Sequence, residues 1–173
     1  MKNYAKLPFA IFLAFFATVT VAIAQSNNLK DETFVKKAQL GGNKEVRLGQ
    51  LASEKAVARE VKEYGEMMIK DHQEANAELT RMVQQRNYQP VNDADKDADK
   101  AFDKLSRYSA DDFDEAYMKA MVKDHEKVVA LFEKEAENGN DPEIRQWAKE
   151  KLPVLQQHLS DAKNVLSALK SKK

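Results

Sequence analysis

A chain of 173 residues, 43% hydrophobic and 32% charged with only 5 Gly and 4 Pro, can bury one core and is neither disordered nor breaker-rich. Its 28 basic and 28 acidic residues cancel, which excludes the Lys/Arg excess that a nucleic-acid surface requires. Cysteine is absent, so disulfides, thiolate metal sites and Cys nucleophiles are excluded, and metal chemistry falls to His, carboxylates, Met or water.

The chain opens with a targeting pattern. Lys2 and Lys6 precede an apolar run from Leu7 to Ala24 that closes on the small-residue triplet Ala22-Ile23-Ala24. A basic stretch, an apolar stretch and an A-x-A site describe a signal peptide over residues 1–24, with the mature chain starting at Gln25. The run is borderline in length for a membrane span, but Pro8, Thr18, Thr20 and the triplet favour removal over a permanent membrane anchor. No Cys follows it, so no lipid anchor replaces it. Cleavage removes Lys2 and Lys6 and no acid, leaving 26 of the 28 basic groups against 28 acidic ones. The expected location is therefore outside the cytoplasm, periplasmic or secreted, with attachment to the cell envelope as an alternative.

Residues 25–30 read as a polar tail, and residues 31–173 as one helical domain rich in Ala, Glu, Lys, Leu and Gln. From Asp31 the first helix places Phe34, Ala38, Gly41, Glu45, Leu48 and Ala52 at alternating steps of four and three. Gly41-Gly42 weakens it, and a turn must fall within Ser53–Arg59. The second helix carries Val61, Tyr64, Met68, His72, Ala75, Leu79 and Met82 on one stripe and ends near Asn87. Residues Tyr88–Asp99, with Pro90 and a run of Asn and Asp, are the longest break, and Lys100–Arg107 suits a short helix in the rest of the crossover to the third helix. Ser109 with Asp112 predicts a capped start for the third helix, which holds Phe113, Tyr117, Met121, His125, Val128 and Phe132. Gly139 suits the position just past its end, while Asp141 and Pro142 start the last helix. That helix carries Ile144, Ala148, Leu155, His158, Ala162, Val165 and Leu169, with a kink expected at Pro153. The pattern predicts an all-α fold, an up-down four-helix bundle with one long crossover. Met68-Ile69-Lys70-Asp71-His72 and Met121-Val122-Lys123-Asp124-His125 repeat one another, which suits a duplicated helical hairpin.

The chain's 3 histidines each fall on an inward stripe of a different helix. A single inward histidine is usually a core residue. Height along the bundle tests whether the three meet. In antiparallel pairing, His125 and His158 share a height if their turn centres between Asp141 and Pro142, and His72 and His125 if theirs centres between Ala98 and Asp99. Both centres agree with the turns read above. Glu45, a carboxylate on an otherwise apolar stripe, reaches the same height for a turn between Ala58 and Arg59.

Glu45, His72, His125 and His158 would thus give one ligand from each helix. Three neutral imidazoles and a carboxylate suit a transition metal ion: Zn, Cu or Fe. Asp71 and Asp124 can accept the second ring N–H of a neighbouring histidine, although a solvated charge is the commoner role. Met68 and Met121 would favour copper as ligands but match ordinary core spacing. A di-iron carboxylate centre needs Glu-x-x-His, and the residues three before the histidines are Ile69, Val122 and Leu155. Phosphate loops, Gly-x-Ser-x-Gly and His-Glu-x-x-His are absent. The competing readings are a metal-free bundle with a buried His/Glu polar network and a carrier of apolar ligands. Bulky Phe, Leu and Met stripes argue against the cavity a carrier needs.

Phe34-Val35-x-x-Ala38, Glu45-Val46-x-Leu48-Gly49-x-Leu51-Ala52, Met68-x-x-Asp71-His72, Asp112-Phe113-Asp114-x-x-Tyr117, Met121-Val122-x-Asp124-His125 and Leu152-Pro153-x-Leu155-x-x-His158-Leu159 occur in order along the chain. Over about residues 31–169 the sequence resembles the exported bacterial DUF4142 proteins. The resemblance implies a ferritin-like bundle, a glutamate and three histidines at the positions of Glu45, His72, His125 and His158, and a first turn near Ala56–Arg59. It implies no particular activity. The outer-membrane label often given to such proteins disagrees with the amphipathic helices and the lack of β-barrel alternation here.

Overall fold

The computed structural model describes residues 14–86, 88 and 95–171, with side chains described from Lys30 onward. Lys2, Lys6, Pro90 and Asn92–Ala94 lie outside the described residues. Among those described there are five α-helices and no strand: α1 (Ala14–Lys55), α2 (Arg59–Arg86), α3 (Lys96–Ser106), α4 (Ala110–Asn138) and α5 (Pro142–Ser171). The all-α bundle is as the periodicity predicts. Its first helix does not start at Asp31, however. The backbone of residues 25–30 is already helical, because nothing in Gln25–Lys30 breaks a helix. No helix among the described residues is long and apolar enough to cross a membrane.

Hydrogen bonds at the two ends fix the helix directions. At the upper end, the α1–α2 turn rests on Asp114 of α4, whose carboxylate accepts the N–H of Val57 at 3.1 Å and of Ala58 at 2.7 Å. These are orphan donors at the start of α2, capped here by a residue from another helix. At the lower end, the α4–α5 turn is held by Asp31 of α1, which accepts the N–H of Asn140 at 3.0 Å and of Asp141 at 2.7 Å. Arg86, the last residue of α2, pairs there with Asp141 at 2.7 Å and Glu143 at 2.6 Å. So α1 runs up, α2 down, α4 down and α5 up. Short α3 climbs along α1, with Arg47 pairing to Asp99 and lying 4.4 Å over the Phe102 ring, and Lys55 donating to the Ser106 carbonyl.

This ordering corrects one expectation. The crossover returns the chain to the upper end, so α2 and α4 are parallel, and a centre between Ala98 and Asp99 has no bearing on height. His72 and His125 are level because each lies a similar distance below the upper end of its helix. A duplicated hairpin would equate α2 with α5, whereas the repeated pentapeptides sit on α2 and α4, the two parallel helices. Smaller differences have local causes. α3 starts at Lys96 because Asp95 caps it, accepting from Asp97 N and Ala98 N. Ser109 precedes α4, but its hydroxyl donates to the Asp112 carboxylate at 2.9 Å and makes no backbone cap. Gly139 is extended (φ −61°, ψ 142°) rather than left-handed; a Cβ there would lie 2.7 Å from the Glu135 carbonyl oxygen, which favours glycine. Asp141 caps α5 as expected, and Pro153 lies within an unbroken helix.

The apolar stripes form two clusters. The upper one packs Leu48, Tyr64, Met68, Phe113, Tyr117 and Met121; the lower one packs Phe34, Leu79, Phe132, Ile144, Trp147 and Leu155. Both repeated methionines are thus core residues of the upper cluster. α1 and α2 pack backbone to backbone at Gly49 and Gly65, where a Cβ on Gly49 would stand 2.6 Å from the Gly65 carbonyl oxygen. Backbone cannot yield as a side-chain tip can. Gly49→Ala should therefore lower unfolding free energy by about 1–3 kcal/mol in a urea titration, despite its better helix propensity.

Candidate metal centre

Between the two clusters lies a polar layer. Glu45, His72, His125 and His158, one residue each from α1, α2, α4 and α5, are all buried, with His125 at 0% exposure. The ring centroids of His72, His125 and His158 stand 5.5–6.0 Å apart. One nitrogen from each ring belongs to a set whose members all lie within 4.8 Å of one another. Three donor atoms at this spacing form a group that could hold a metal ion.

The protonation of the rings follows from what they touch. His125 Nδ1 is 3.0 Å from the Met121 carbonyl, which only accepts, so Nδ1 carries the proton and Nε2 keeps its lone pair. His158 Nε2 is 3.0 Å from the Asp71 carboxylate, so Nε2 donates and Nδ1 keeps the lone pair. The atoms left over are His72 Nε2, His125 Nε2 and His158 Nδ1, each buried without a hydrogen-bond partner. Leaving one such atom unsatisfied costs about 1–3 kcal/mol. Burial pushes His72 down to about 3, with the neighbouring imidazoles adding to the effect, and pushes His125 down to about 4, with His158 adding. Both rings are neutral near pH 7, the form that binds a metal.

Glu45 stands at the same level but outside the three-histidine group. It lines a cleft together with His72 and His158, and its Oε2 is buried without a partner. Burial first, and the Asp124 carboxylate second, push its carboxyl up to about 8, against the Lys44 ammonium. The two aspartates behave differently from each other. Asp71 orients His158 across the hairpins, whereas the Asp124 carboxylate pairs with Lys44 at 2.5 Å. Lys44 directly precedes Glu45 in the chain, and the charges of the Lys44–Asp124 pair act on the Glu45 carboxyl in opposite directions.

Two tyrosines complete the surroundings without having been singled out by the sequence. Tyr64 donates to the His158 carbonyl at 3.2 Å and meets the His125 ring edge-on with centroids 6.4 Å apart. Tyr117 is fully buried, its hydroxyl unpartnered and held in the neutral form by burial and by Glu45. The signal was present: Tyr64 and Tyr117 each stand two turns before a histidine on the same stripe, in register with the repeated pentapeptide.

The cleft has a volume of about 590 Å³, and Leu131, Phe132, Trp147 and Leu155 form part of its wall. This overturns the expectation that bulky stripes leave no cavity. The bulk is concentrated in the clusters above and below, while Ala38, Gly41, Gly42 and Ala75 leave the histidine level open.

The chain belongs to the family described as Domain of unknown function (DUF4142), whose model matches residues 17–165. No curated protein matches it. No solved structure does either.

Proposed function

We propose that this is an exported, periplasmic bundle that holds one transition-metal ion on His72 Nε2, His125 Nε2 and His158 Nδ1, with Glu45 closing the fourth side. The observation that carries this reading is the set of three converging, buried and unpartnered nitrogens, two of them with their tautomers fixed by partners behind the ring. A metal-free polar network would spend these atoms on hydrogen bonds to one another, and they make none. A first-row ion satisfies all three at once. Nitrogen donors with one carboxylate fit zinc, copper or iron, acting as a Lewis acid or a redox centre according to the ion. Asp71 and the Met121 carbonyl hold the rings in place, and the two hydrophobic clusters limit water access from above and below.

Metal analysis of the purified protein tests this. About one equivalent of zinc, copper or iron should remain after dialysis, and none should remain after a chelator; a chain that binds no ion with any of the three refutes it. Export rests on Lys2, Lys6, the apolar run to Ala24 and the Ala22-Ile23-Ala24 triplet. Mass spectrometry of protein recovered from a bacterial periplasm should give a chain starting at Gln25, whereas an intact Met1 would contradict export with cleavage.

A further inference from the structure

The cleft beside the histidines is more than an entry path for an ion. Its volume of about 590 Å³ lies within the range of small-molecule sites, and it reaches His72 and His158 at one end. Phe132 and Trp147, with ring centroids 5.5 Å apart, give it an aromatic wall. Gly41, inside α1, also lines it. A glycine there costs up to about 1 kcal/mol against alanine, yet a Cβ added at Gly41 would meet nothing within 4 Å. No neighbour in the fold demands this glycine. What it preserves is the empty space of the cleft.

We infer that the cleft binds an aromatic carboxylate, its ring on the Phe132–Trp147 wall in the space that Gly41 leaves open and its carboxylate oxygen on the histidine-bound ion. The lining carries four lysines against six acids, so selection for an anion comes from the ion and not from the rim. The exogenous oxygen adds to the coordination or exchanges with Glu45, and first-row ions accommodate both. The inference rests on the metal reading above and extends it from an ion to an organic ligand.

Cobalt(II) replaces the native ion in the test, since its visible absorption reports each change of ligand. Benzoate is the probe, acetate lacks the ring and toluene lacks the oxygen. Benzoate should shift the cobalt spectrum and bind about tenfold or more tightly than acetate, because only it buries a ring. Toluene should leave the spectrum unchanged. Gly41→Leu on α1 and Val128→Phe on α4 each add bulk at a residue that lines the cleft without replacing a proposed ligand. Either should abolish the preference for benzoate while retaining cobalt, and the two together guard against one variant failing to fold. A protein that takes up none of cobalt, zinc, copper and iron refutes the metal reading and this inference with it; if copper binds and cobalt does not, the Cu(II) visible band is the reporter in the same comparison. Bound cobalt that treats benzoate and acetate alike, or folded cleft-filled variants that keep the preference, overturns this inference alone.

Discussion

Replacing His125 with alanine should abolish stoichiometric metal binding while leaving the metal-free fold intact. His125 is the most deeply buried of the three imidazoles, and its Nε2 is buried without a partner in a ring fixed by the Met121 carbonyl. In the native protein, a saturating ion at a thousandfold excess over Kd should stabilise the fold by about 4 kcal/mol, a rise in Tm of about 10 °C. In His125→Ala that rise should vanish. The metal-free variant should lose only about 1–2 kcal/mol: a cavity opens, but an unsatisfied buried nitrogen disappears with the ring. Asp71→Ala gives the graded counterpart. It frees His158 from its orienting carboxylate and should weaken affinity by about 10–100-fold without abolishing it. Differential scanning fluorimetry with and without Zn²⁺ and Cu²⁺ reads both variants, and equal Tm shifts in His125→Ala and native protein would refute the ligand assignment.

Asp31→Ala should be the most damaging substitution outside the metal layer. Asp31 is 2% exposed and ties α1 to the α4–α5 turn through Asn140 N, Asn140 Nδ2 and Asp141 N. Its loss leaves backbone donors unsatisfied and should cost about 3 kcal/mol, measured by urea unfolding. Asp31→Asn, which keeps one acceptor oxygen, should cost less. The same carboxylate creates a pH dependence. Burial first, then the Asp31 charge and a hydrogen bond to it, push Glu135 up to about 7, with Asp141 adding and Arg145 opposing. A carboxyl whose folded value is raised takes up its proton more readily in the folded state. Its contribution is complete below about 4.5 and is lost as pH rises through about 7. With Asp31→Asn, the neighbouring charge is gone and that loss should shrink. The stability gap between native protein and Asp31→Asn should therefore narrow from pH 5 to pH 8; a constant gap would show that the two carboxyls do not interact.

Much of the fold is legible in residue spacing, because each helix buries a single stripe and a stripe has a period. Val61, Tyr64, Met68, His72 and Leu79 are buried as their 3.6-residue period requires, as are Phe113, Tyr117, Met121, His125 and Phe132. The convergence of the histidines is legible for His125 and His158, whose helices are joined by a short turn that forces antiparallel pairing. For His72 and His125 it is not, since a long crossover connects either end of a bundle and spacing alone cannot tell which. The direction is set instead by Asp114 under the α2 N-terminus and Asp31 under the α4–α5 turn, contacts between residues distant in sequence. The cleft was hidden for a related reason. A stripe gives which residues face inward, but the space left among Gly41, Ala75, Phe132 and Trp147 depends on how far the two hairpins stand apart. Asp71 and Asp124 illustrate the same limit: identical pentapeptide positions meet His158 on one side and Lys44 on the other.

The most direct test of the central claim is an anomalous-difference map from crystals of the metal-loaded protein. A single peak should lie about 2.0–2.1 Å from His72 Nε2, His125 Nε2 and His158 Nδ1, with His158 bound through the nitrogen opposite its Asp71 contact. An ion elsewhere in the molecule, or one bound through His158 Nε2 with the Asp71 contact broken, would contradict it.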